Sequence, residues 1–403
     1  MARTCRCAPS SSYRRCVPVS PFNTLPPIAP GARLAGELRA GDIKAHLVWF
    51  DSLGAKSSCL LIETPDLRVL IDPGAAAMQP SFPLPGRAKE ELKLRAYRAI
   101  EAAARKADAI VITHYHYDHH VRFDFPVDAR AIYGGKLIWA KDPNSYINKS
   151  QWGRARLLFG QMCRELADLD LEELLVKPRR TVFRDPMADL RLAAGRDFGD
   201  YQARREELLA KGRAWFRKLA EGLWAKQPWI PELELGRTRV EFIDGRELEI
   251  GHTAIRFVGP HFHGVEYARV GWVLSVAVER DGRKLLYSSD LQGPVIEDYA
   301  EWIVAEDPDL LVLDGPPTYL LGYMMNRINL RRAIENICRI IRAVRADPII
   351  LDHHLLREAR YAERLSDVYR AAREAGKRVL TAAEWLGQEP VVLRAARGTF
   401  KAA

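Results

Sequence analysis

Long apolar runs are missing from this 403-residue sequence: no stretch reaches the roughly 18 consecutive apolar residues that a membrane-spanning helix requires. The N-terminal segment contains arginines but lacks the apolar core of a signal peptide. We therefore expect no transmembrane helix and no secretory signal. Residues 1–35 show little apolar periodicity, which predicts a disordered basic tail, or a translation start placed too early, followed by one domain over residues 36–403.

Cysteine is also scarce, with six residues spread over the chain. Cys5, Cys7 and Cys16 fall in the tail and are one ligand short of a tetrahedral zinc site. Cys59 and Cys338 lie in apolar stretches, where we expect buried thiols. Because no disulfide framework is evident, we expect a reducing, cytoplasmic location.

The charge is the least balanced feature of the composition. Charged residues make up 28% of the chain and the formal net charge is +9. A basic surface alone accounts for such an excess, but it also favours an anionic substrate, either a small molecule or a nucleic acid.

The order of apolar patterns predicts an α/β protein. Residues 45–51, 58–63 and 67–72 read as antiparallel strands joined by turns, 88–106 as a helix and 109–112 as a short buried strand. Residues from about 155 to 235 are rich in helix formers, which predicts a helical insertion. Further strands are expected at 238–243, 253–258, 270–278, 284–288, 310–313 and 348–351.

The strand at 109–112 is followed at once by the string THYHYDHH, which contains four of the ten histidines in the chain. Imidazole suits zinc, iron and nickel, and carboxylate suits harder divalent ions. In a turning loop, side chains at positions i and i+2 can converge on one ion. The candidate ligands are His114, His116, Asp118 and His119, and we expect His120 to be only a neighbour.

Three later segments also place candidate ligands directly after strands. They are GPHFHG at 259–264, SSD at 288–290 and LDHH at 351–354. Together with the THYHYDHH loop they hold eight of the ten histidines, which indicates one shared metal site.

The order HxHxDH, then a histidine, then an aspartate after an apolar strand, then a final histidine, resembles the metallo-β-lactamase superfamily. The LIDPG string at 70–74 matches the aspartate that precedes the motif there. The strings THYHYDHH, INKSQWGRAR, SSDLQGP, DGPPTYL and LDHHLLR resemble an uncharacterised, largely archaeal branch of predicted hydrolases. The resemblance runs from about residue 44 to 386 and implies an αββα sandwich, here with a helical insertion.

The resemblance also implies a ligand set. One ion would be bound by His114, His116 and His263, the other by Asp118, His119 and His353, and Asp290 would bridge both. Two positions have alternatives, His261 for His263 and His354 for His353. Asp72 would fix a ligand imidazole through a hydrogen bond.

Such a ligand set predicts a binuclear metallohydrolase that uses a metal-bridged hydroxide. We expect two divalent ions, zinc first, with manganese or iron as alternatives, and we expect Asp118 to accept or orient the proton of the nucleophile. The basic charge favours an anionic ester, most directly a phosphodiester. The alternatives are a lactone, thioester or amide hydrolase, and a nucleic-acid-binding protein with a vestigial site.

Four residues are weaker candidates for substrate binding: Lys149, Arg154, Tyr319 and Arg357. The first two belong to a cationic stretch that could grip a phosphate. The same stretch could equally be a solvated helix start with Ser150 as its cap. The last two follow metal-side loops, where a purely structural role is the competing interpretation.

Overall fold

The computed structural model describes residues 36–400. The predicted tail, with Cys5, Cys7 and Cys16, lies outside the described residues. In the described part, Cys59 and Cys338 are buried free thiols, as expected. No helix between residues 36 and 400 combines the length and the apolar character needed to cross a membrane.

The described strands form two sheets. The first, in the order β1-β2-β3-β4-β5-β6-β8-β7, contains β1 (Glu37–Ala40), β2 (Ile43–Phe50), β3 (Ser58–Glu63), β4 (Arg68–Ile71), β5 (Ala109–Ile112), β6 (Leu137–Ala140), β7 (Leu233–Leu235) and β8 (Thr238–Phe242). The second, in the order β15-β14-β13-β12-β11-β10-β9, contains β9 (Glu247–Ile250), β10 (Thr253–Phe262), β11 (Trp272–Arg280), β12 (Arg283–Tyr287), β13 (Leu310–Asp314), β14 (Ile349–Asp352) and β15 (Val379–Leu380).

Helices connect and cover these sheets. They are α1 (Gly86–Ala104), α2 (Ala129–Tyr133), α3 (Lys149–Ala167), α4 (Leu171–Leu174), α5 (Arg191–Gly195), α6 (Gln202–Leu219), α7 (Glu297–Glu306), α8 (Arg327–Ala343), α9 (Tyr361–Arg364), α10 (Ser366–Glu374), α11 (Ala382–Trp385) and α12 (Val391–Ala396). Apolar residues of both sheets and of the helices share one buried core. The two sheets meet through Tyr287 of β12, whose hydroxyl donates to the Ser58 carbonyl of β3 at 2.9 Å. The predicted αββα sandwich is confirmed.

The parallel strands determine where loops converge. β4, β5, β6 and β8 run parallel in the first sheet, and β12 to β15 run parallel in the second. Every residue of β5, β13 and β14 is buried, as expected for short apolar strands covered on both faces. Side chains that follow such strands gather at the carboxyl edge of a sheet.

The pattern of apolar residues predicts most of these elements to within two residues, but five strands were not predicted. These five strands contain only two to four residues each, so even where apolar and polar residues alternate, as in β7 and β9, the pattern is too short to indicate a strand by itself. The helical insertion lies between β6 and β7, and its first helix begins at Lys149 instead of near 155. Asn148, not Ser150, caps that helix: its side chain accepts from the Gln151 amide.

Candidate metal centre

The THYHYDHH loop leaves β5 at the carboxyl edge of the first sheet and turns back on itself. The LIDPG loop, after β4, lies directly against it. A Cβ atom on Gly74 would lie only 2.2 Å from the backbone nitrogen of His120 and 2.5 Å from that of His119. Glycine is therefore required at this position for close approach, and that approach brings Asp72 to the histidines.

One group of candidate ligands contains His114, His116, His263 and Asp290, whose nearest ligand atoms lie within 4.8 Å of one another. The Nε2 atoms of His114 and His263 lie 3.3 and 3.1 Å from Asp290 Oδ2. His116 differs in that its Nδ1, not its Nε2, faces the other ligand atoms: this Nδ1 lies 3.1 Å from His114 Nε2. We call this set the first ligand group.

The second ligand group contains Asp118, His119 and His353, again within 4.8 Å of one another. His353 Nε2 lies 3.9 Å from Asp118 Oδ2 and 3.4 Å from Asp290 Oδ1. His119 Nε2 lies 3.2 Å from Asp290 Oδ2. The Asp290 carboxylate therefore stands between the two groups, with oxygens close to histidines of both.

Three buried polar atoms of the two groups lack a hydrogen-bond partner among residues 36–400, which indicates the kind of ligand that the groups can bind. His119 Nε2, His263 Nε2 and Asp290 Oδ1 are buried and have no hydrogen-bond partner among the described residues. Leaving such atoms unpaired is costly in a folded protein. Imidazole nitrogens and a carboxylate converging on one space are the donor set of a divalent metal site, so these residues fit metal ions of the zinc type.

The electrostatics of the two groups differ. Burial and the neighbouring His119 lower the pKa of His114 to about 4, which favours the neutral ring that a ligand requires. Burial also lowers the pKa of His119, but Asp290 and Asp72 outweigh it and raise the value to about 10. A metal ion bound here would have to displace that proton, so binding would release it.

In the second group, the Nδ1 atom of each histidine, on the side of the ring away from Asp290, contacts a carboxylate. Asp72 Oδ2 accepts from His119 Nδ1 at 2.9 Å and from the Thr113 hydroxyl, and the Tyr287 hydroxyl shares its one proton between Asp72 Oδ2 and the Ser58 carbonyl. Asp51 Oδ1 lies 2.9 Å from His353 Nδ1, while its Oδ2 accepts from Arg357 Nε at 2.6 Å. Burial raises the pKa of Asp51, but Arg357 and His353 outweigh it and hold the value well below its usual range.

Uncharged groups stand behind the histidines of the first group. Thr113 Oγ1 lies 3.2 Å from His114 Nδ1, Gln292 Nε2 lies 3.2 Å from His263 Nδ1, and Gln151 Nε2 lies 3.4 Å from His116 Nε2. We call the residues that contact the ligand histidines from the side away from Asp290 the outer partners. The two groups both approach Asp290, but their outer partners are carboxylates in the second group and uncharged side chains in the first.

Of the remaining histidines in the motifs, His354 forms a further group of candidate ligands with Asp290 and His353 among residues 36–400, whereas His261 and His120 join no such group. His261 points away from both groups, since its ring lies 4.4 Å from that of Tyr299 and 5.4 Å from that of Trp302. His120 Nδ1 lies 2.9 Å from the His116 carbonyl oxygen, and its ring joins neither ligand group. His354 is closer: its Nε2 is 4.0 Å from Asp290 Oδ2, and its Nδ1 lies 3.0 Å from Asp314 Oδ1.

A cavity of about 770 Å³ opens over the ligand groups. The helical insertion provides part of its wall, including Leu208 and Leu209 of α6. Of the predicted substrate-binding residues, Arg154, Tyr319 and Arg357 line the cavity, whereas Lys149 is exposed at the start of α3 and does not. Arg357 has carboxylate partners within the site, because it donates to Asp51 Oδ2 and, at 3.1 Å, to Asp118 Oδ2 of the second ligand group.

Three functional partners were not identified from the sequence: Asp51, Gln292 and Asp314. Asp51 directly follows β2, and Asp314 ends β13, so each occupies a strand end of the kind that identified Asp290. An aspartate at a strand end is therefore a signal that the sequence contains, but it does not separate metal ligands from their partners. Gln292 carries no comparable signal, since it becomes a partner of His263 only through the fold.

Residues 54–120 match the family model described as the metallo-β-lactamase superfamily. The chain is 36% identical over 356 residues to a UPF0282 protein of Methanopyrus kandleri, covering 86% of this chain and 95% of the relative. A UPF0282 protein of Korarchaeum cryptofilum is 31% identical over 348 residues, covering 86% and 90%. Among solved structures, the metallo-β-lactamase fold protein YhfI from Bacillus subtilis aligns with 84% of this chain and 95% of its own, at 14% identity and a TM-score of 0.37.

Proposed function

Since this chain belongs to the UPF0282 branch of the metallo-β-lactamase superfamily, a superfamily of metal-dependent hydrolases, we propose that it is a binuclear enzyme that cleaves an anionic ester, most directly a phosphodiester. In this proposal the first ligand group would hold one ion and the second group another, and the Asp290 carboxylate would be available to both. Zinc is the expected metal, and manganese or iron suits the same donors. When bound, the two ions would supply an acidified water and a polarised substrate oxygen.

The chain's own residues would position the reacting groups. Asp118 is the one carboxylate of the ligand groups that reaches the cavity, with 14% of its side chain exposed. Arg357 holds one of its oxygens at 3.1 Å, which fixes the direction of the carboxylate. Asp118 can then accept a hydrogen bond from the attacking water and orient it toward the substrate. Leu208 and Leu209, which also line the cavity, would restrict access of bulk water.

The observation that carries the choice of an anionic substrate is a set of unpaired cations on the cavity wall. Lys56, Arg154 and Arg269 line the cavity, and none has a carboxylate partner within residues 36–400. Arg154 rests on the Tyr117 ring at 4.5 Å and Arg269 on the Trp215 ring at 4.5 Å, so both guanidinium groups are held in place without being neutralised. Held, unpaired cations beside the ligand groups favour a phosphate-bearing substrate.

The test is a hydrolysis screen of the metal-loaded full chain. We expect turnover of a phosphodiester such as bis(p-nitrophenyl) phosphate, and weaker or no turnover of lactones, thioesters and amides. Asp118→Asn should lower phosphodiester turnover by at least about 10²-fold. Lactonase or thioesterase activity as the main activity would support the alternative hydrolase instead.

A second pair of variants tests the role of the unpaired cations. Arg154→Gln should raise KM for the phosphodiester at least about tenfold. Arg156→Gln is the matched control, because Arg156 lies on the same helix, stacks on Trp152 at 4.1 Å and does not line the cavity. Equal effects of the two substitutions would contradict a specific role for Arg154.

A further inference from the structure

A second cavity, of about 840 Å³, lies beyond the metal centre at the carboxyl ends of β6 and β8. It is bounded by the insertion segment 176–190 and by the irregular part of β10 around Gly259 and Pro260. None of the seven proposed metal ligands lines it. Ligands of α/β proteins commonly bind outside the carboxyl ends of parallel strands, and here that position has no role in the proposed hydrolysis.

The floor of this cavity is a pair of aspartates. Asp142 is the second residue after β6, and its backbone amide donates to Asp244 Oδ2 at 2.5 Å. Buried Lys141 donates to Asp244 Oδ1 at 3.3 Å, which offsets one of the two charges. The Asp142 carboxylate accepts from the Asn144 amide and from the Ser145 hydroxyl, each at 2.8 Å. Each carboxylate oxygen has a second lone pair, so carboxylates held at strand ends can also accept hydrogen bonds from a vicinal diol, as acidic residues do with ribose hydroxyls.

Aromatic and cationic side chains form the walls. Tyr146, Trp229 and Phe242 line the cavity and provide surfaces for a planar ring. Four arginines line it too, of which Arg184 pairs with Asp189 and Arg246 with Glu232.

The other two, Arg179 and Arg180, have no carboxylate partner in the described part of the chain. Arg180 is oriented by its bond to Ser145 Oγ at 2.9 Å. They leave two cationic groups for an anion.

A buried histidine without a partner points to a missing ligand. His261 lines the cavity and is only 6% exposed, yet neither ring nitrogen has a hydrogen bond to any residue between 36 and 400. A neutral imidazole always carries one N–H donor and one acceptor. A bound molecule in the cavity would provide a partner for Nε2, the ring nitrogen that the protein does not fully enclose.

We infer that this cavity binds a nucleotide: the base against the aromatic wall, the ribose diol on Asp142 and Asp244, and the phosphate on Arg179 and Arg180. The three chemical parts of a nucleotide match the three parts of the cavity. The nucleotide is a ligand here, not the hydrolysed substrate, so the inference stands apart from the proposed hydrolysis.

Equilibrium binding of the four ribonucleoside 5′-monophosphates to the metal-loaded full chain tests this inference. At least one should bind with a Kd below about 1 mM. Its 2′-deoxy form should bind at least about fivefold more weakly, because one hydroxyl partner of the aspartates is lost. Inorganic phosphate should compete poorly, because it offers neither ring nor diol.

Variants locate the site. Arg179→Gln with Arg180→Gln should weaken nucleotide binding at least about tenfold, whereas Lys177→Gln, an exposed position just outside the cavity, should not. If the double variant does not fold, the single Arg179→Gln decides, because that exposed side chain makes no described contact. Arg154→Gln, in the metal cavity, should leave nucleotide binding unchanged.

Four results would each overturn the inference: no nucleotide bound below 1 mM, equal affinity for the ribose and deoxyribose forms, equal affinity for inorganic phosphate, or binding abolished by Arg154→Gln but not by the arginine pair. Hydrolytic activity is not a readout in any of them. The nucleotide site and the proposed hydrolysis can therefore fail separately.

Discussion

The two ligand groups share one aspartate, but the residues behind their histidines differ. Asp72 and Asp51 stand behind His119 and His353, whereas a threonine and two glutamines stand behind the histidines of the first group. A carboxylate bonded to a ligand imidazole fixes the ring and raises its basicity. The second group should therefore bind its ion more tightly, and the first group should be the one that exchanges its ion.

The largest effect is expected where the two groups meet. Asp290→Asn keeps the shape of the side chain but removes the charge that lies within 3.4 Å of histidines from both groups. We expect loss of at least one metal ion and a fall in turnover of at least about 10²-fold. Elemental analysis and rate measurements check this.

Asp281→Asn is a suitable control for that variant, because Asp281 is exposed in the turn between β11 and β12. Asp314 is not, since its carboxylate orients His354. Full metal content and rate in Asp290→Asn would exclude a bridging role.

The next prediction compares the outer partners directly. Asp51→Asn and Asp72→Asn should each lower metal affinity of the second group by about 10- to 100-fold. Gln292→Leu, behind His263, should lower affinity of the first group less than about tenfold, because a neutral partner is lost. Metal competition against a chelator measures each affinity. Similar losses in all three variants would abolish the proposed difference between the groups.

The LIDPG loop and the THYHYDHH loop approach each other closely at Gly74, and a substitution there should push them apart. Gly74→Ala places a methyl group against the backbone of His119 and His120, so the loops must separate. We expect a loss of about 1–3 kcal/mol in the free energy of unfolding, together with weaker binding in the second group, which contains His119. Gly153→Ala, in α3 with open space at its Cβ, should not destabilise the protein. Denaturant unfolding with and without metal measures both effects.

The smallest effect is expected for a carboxylate far from either group. A hydrogen bond from Arg256, together with Lys284, lowers the pKa of Glu306 to about 2, against the effect of burial. Because the folded pKa is depressed, Glu306 stabilises the fold above the unfolded pKa of about 4.3, and the contribution disappears as the pH falls toward 2.

Glu306→Gln should accordingly cost about 1–2 kcal/mol near neutral pH and nothing near pH 2, with unchanged metal content. Unfolding curves at several pH values test this. A loss of metal in this variant would show that removing a carboxylate outside the ligand groups also disturbs the centre, and would weaken the comparison of Asp51 and Asp72 with Gln292.

The ligands could be predicted from the sequence more readily than the residues that orient them. The histidine loop is local: its four candidate ligands fall within six consecutive residues, so their chemistry is evident before folding. Asp51 and His353 are 302 residues apart, and only the pairing of β2, β3 and β14 with their neighbours brings them together. The nucleotide cavity is still less evident, because its arginines and aromatics come from the insertion and from separate strand ends.

The measurement that tests the account most directly is a zinc titration of the metal-free full chain, followed by elemental analysis. We predict two ions per chain bound in two steps, with the tighter step weakened by Asp51→Asn and the weaker step by His263→Ala. Saturation at one ion or fewer, or a tighter step that depends on His263 and not on Asp51, would contradict the account.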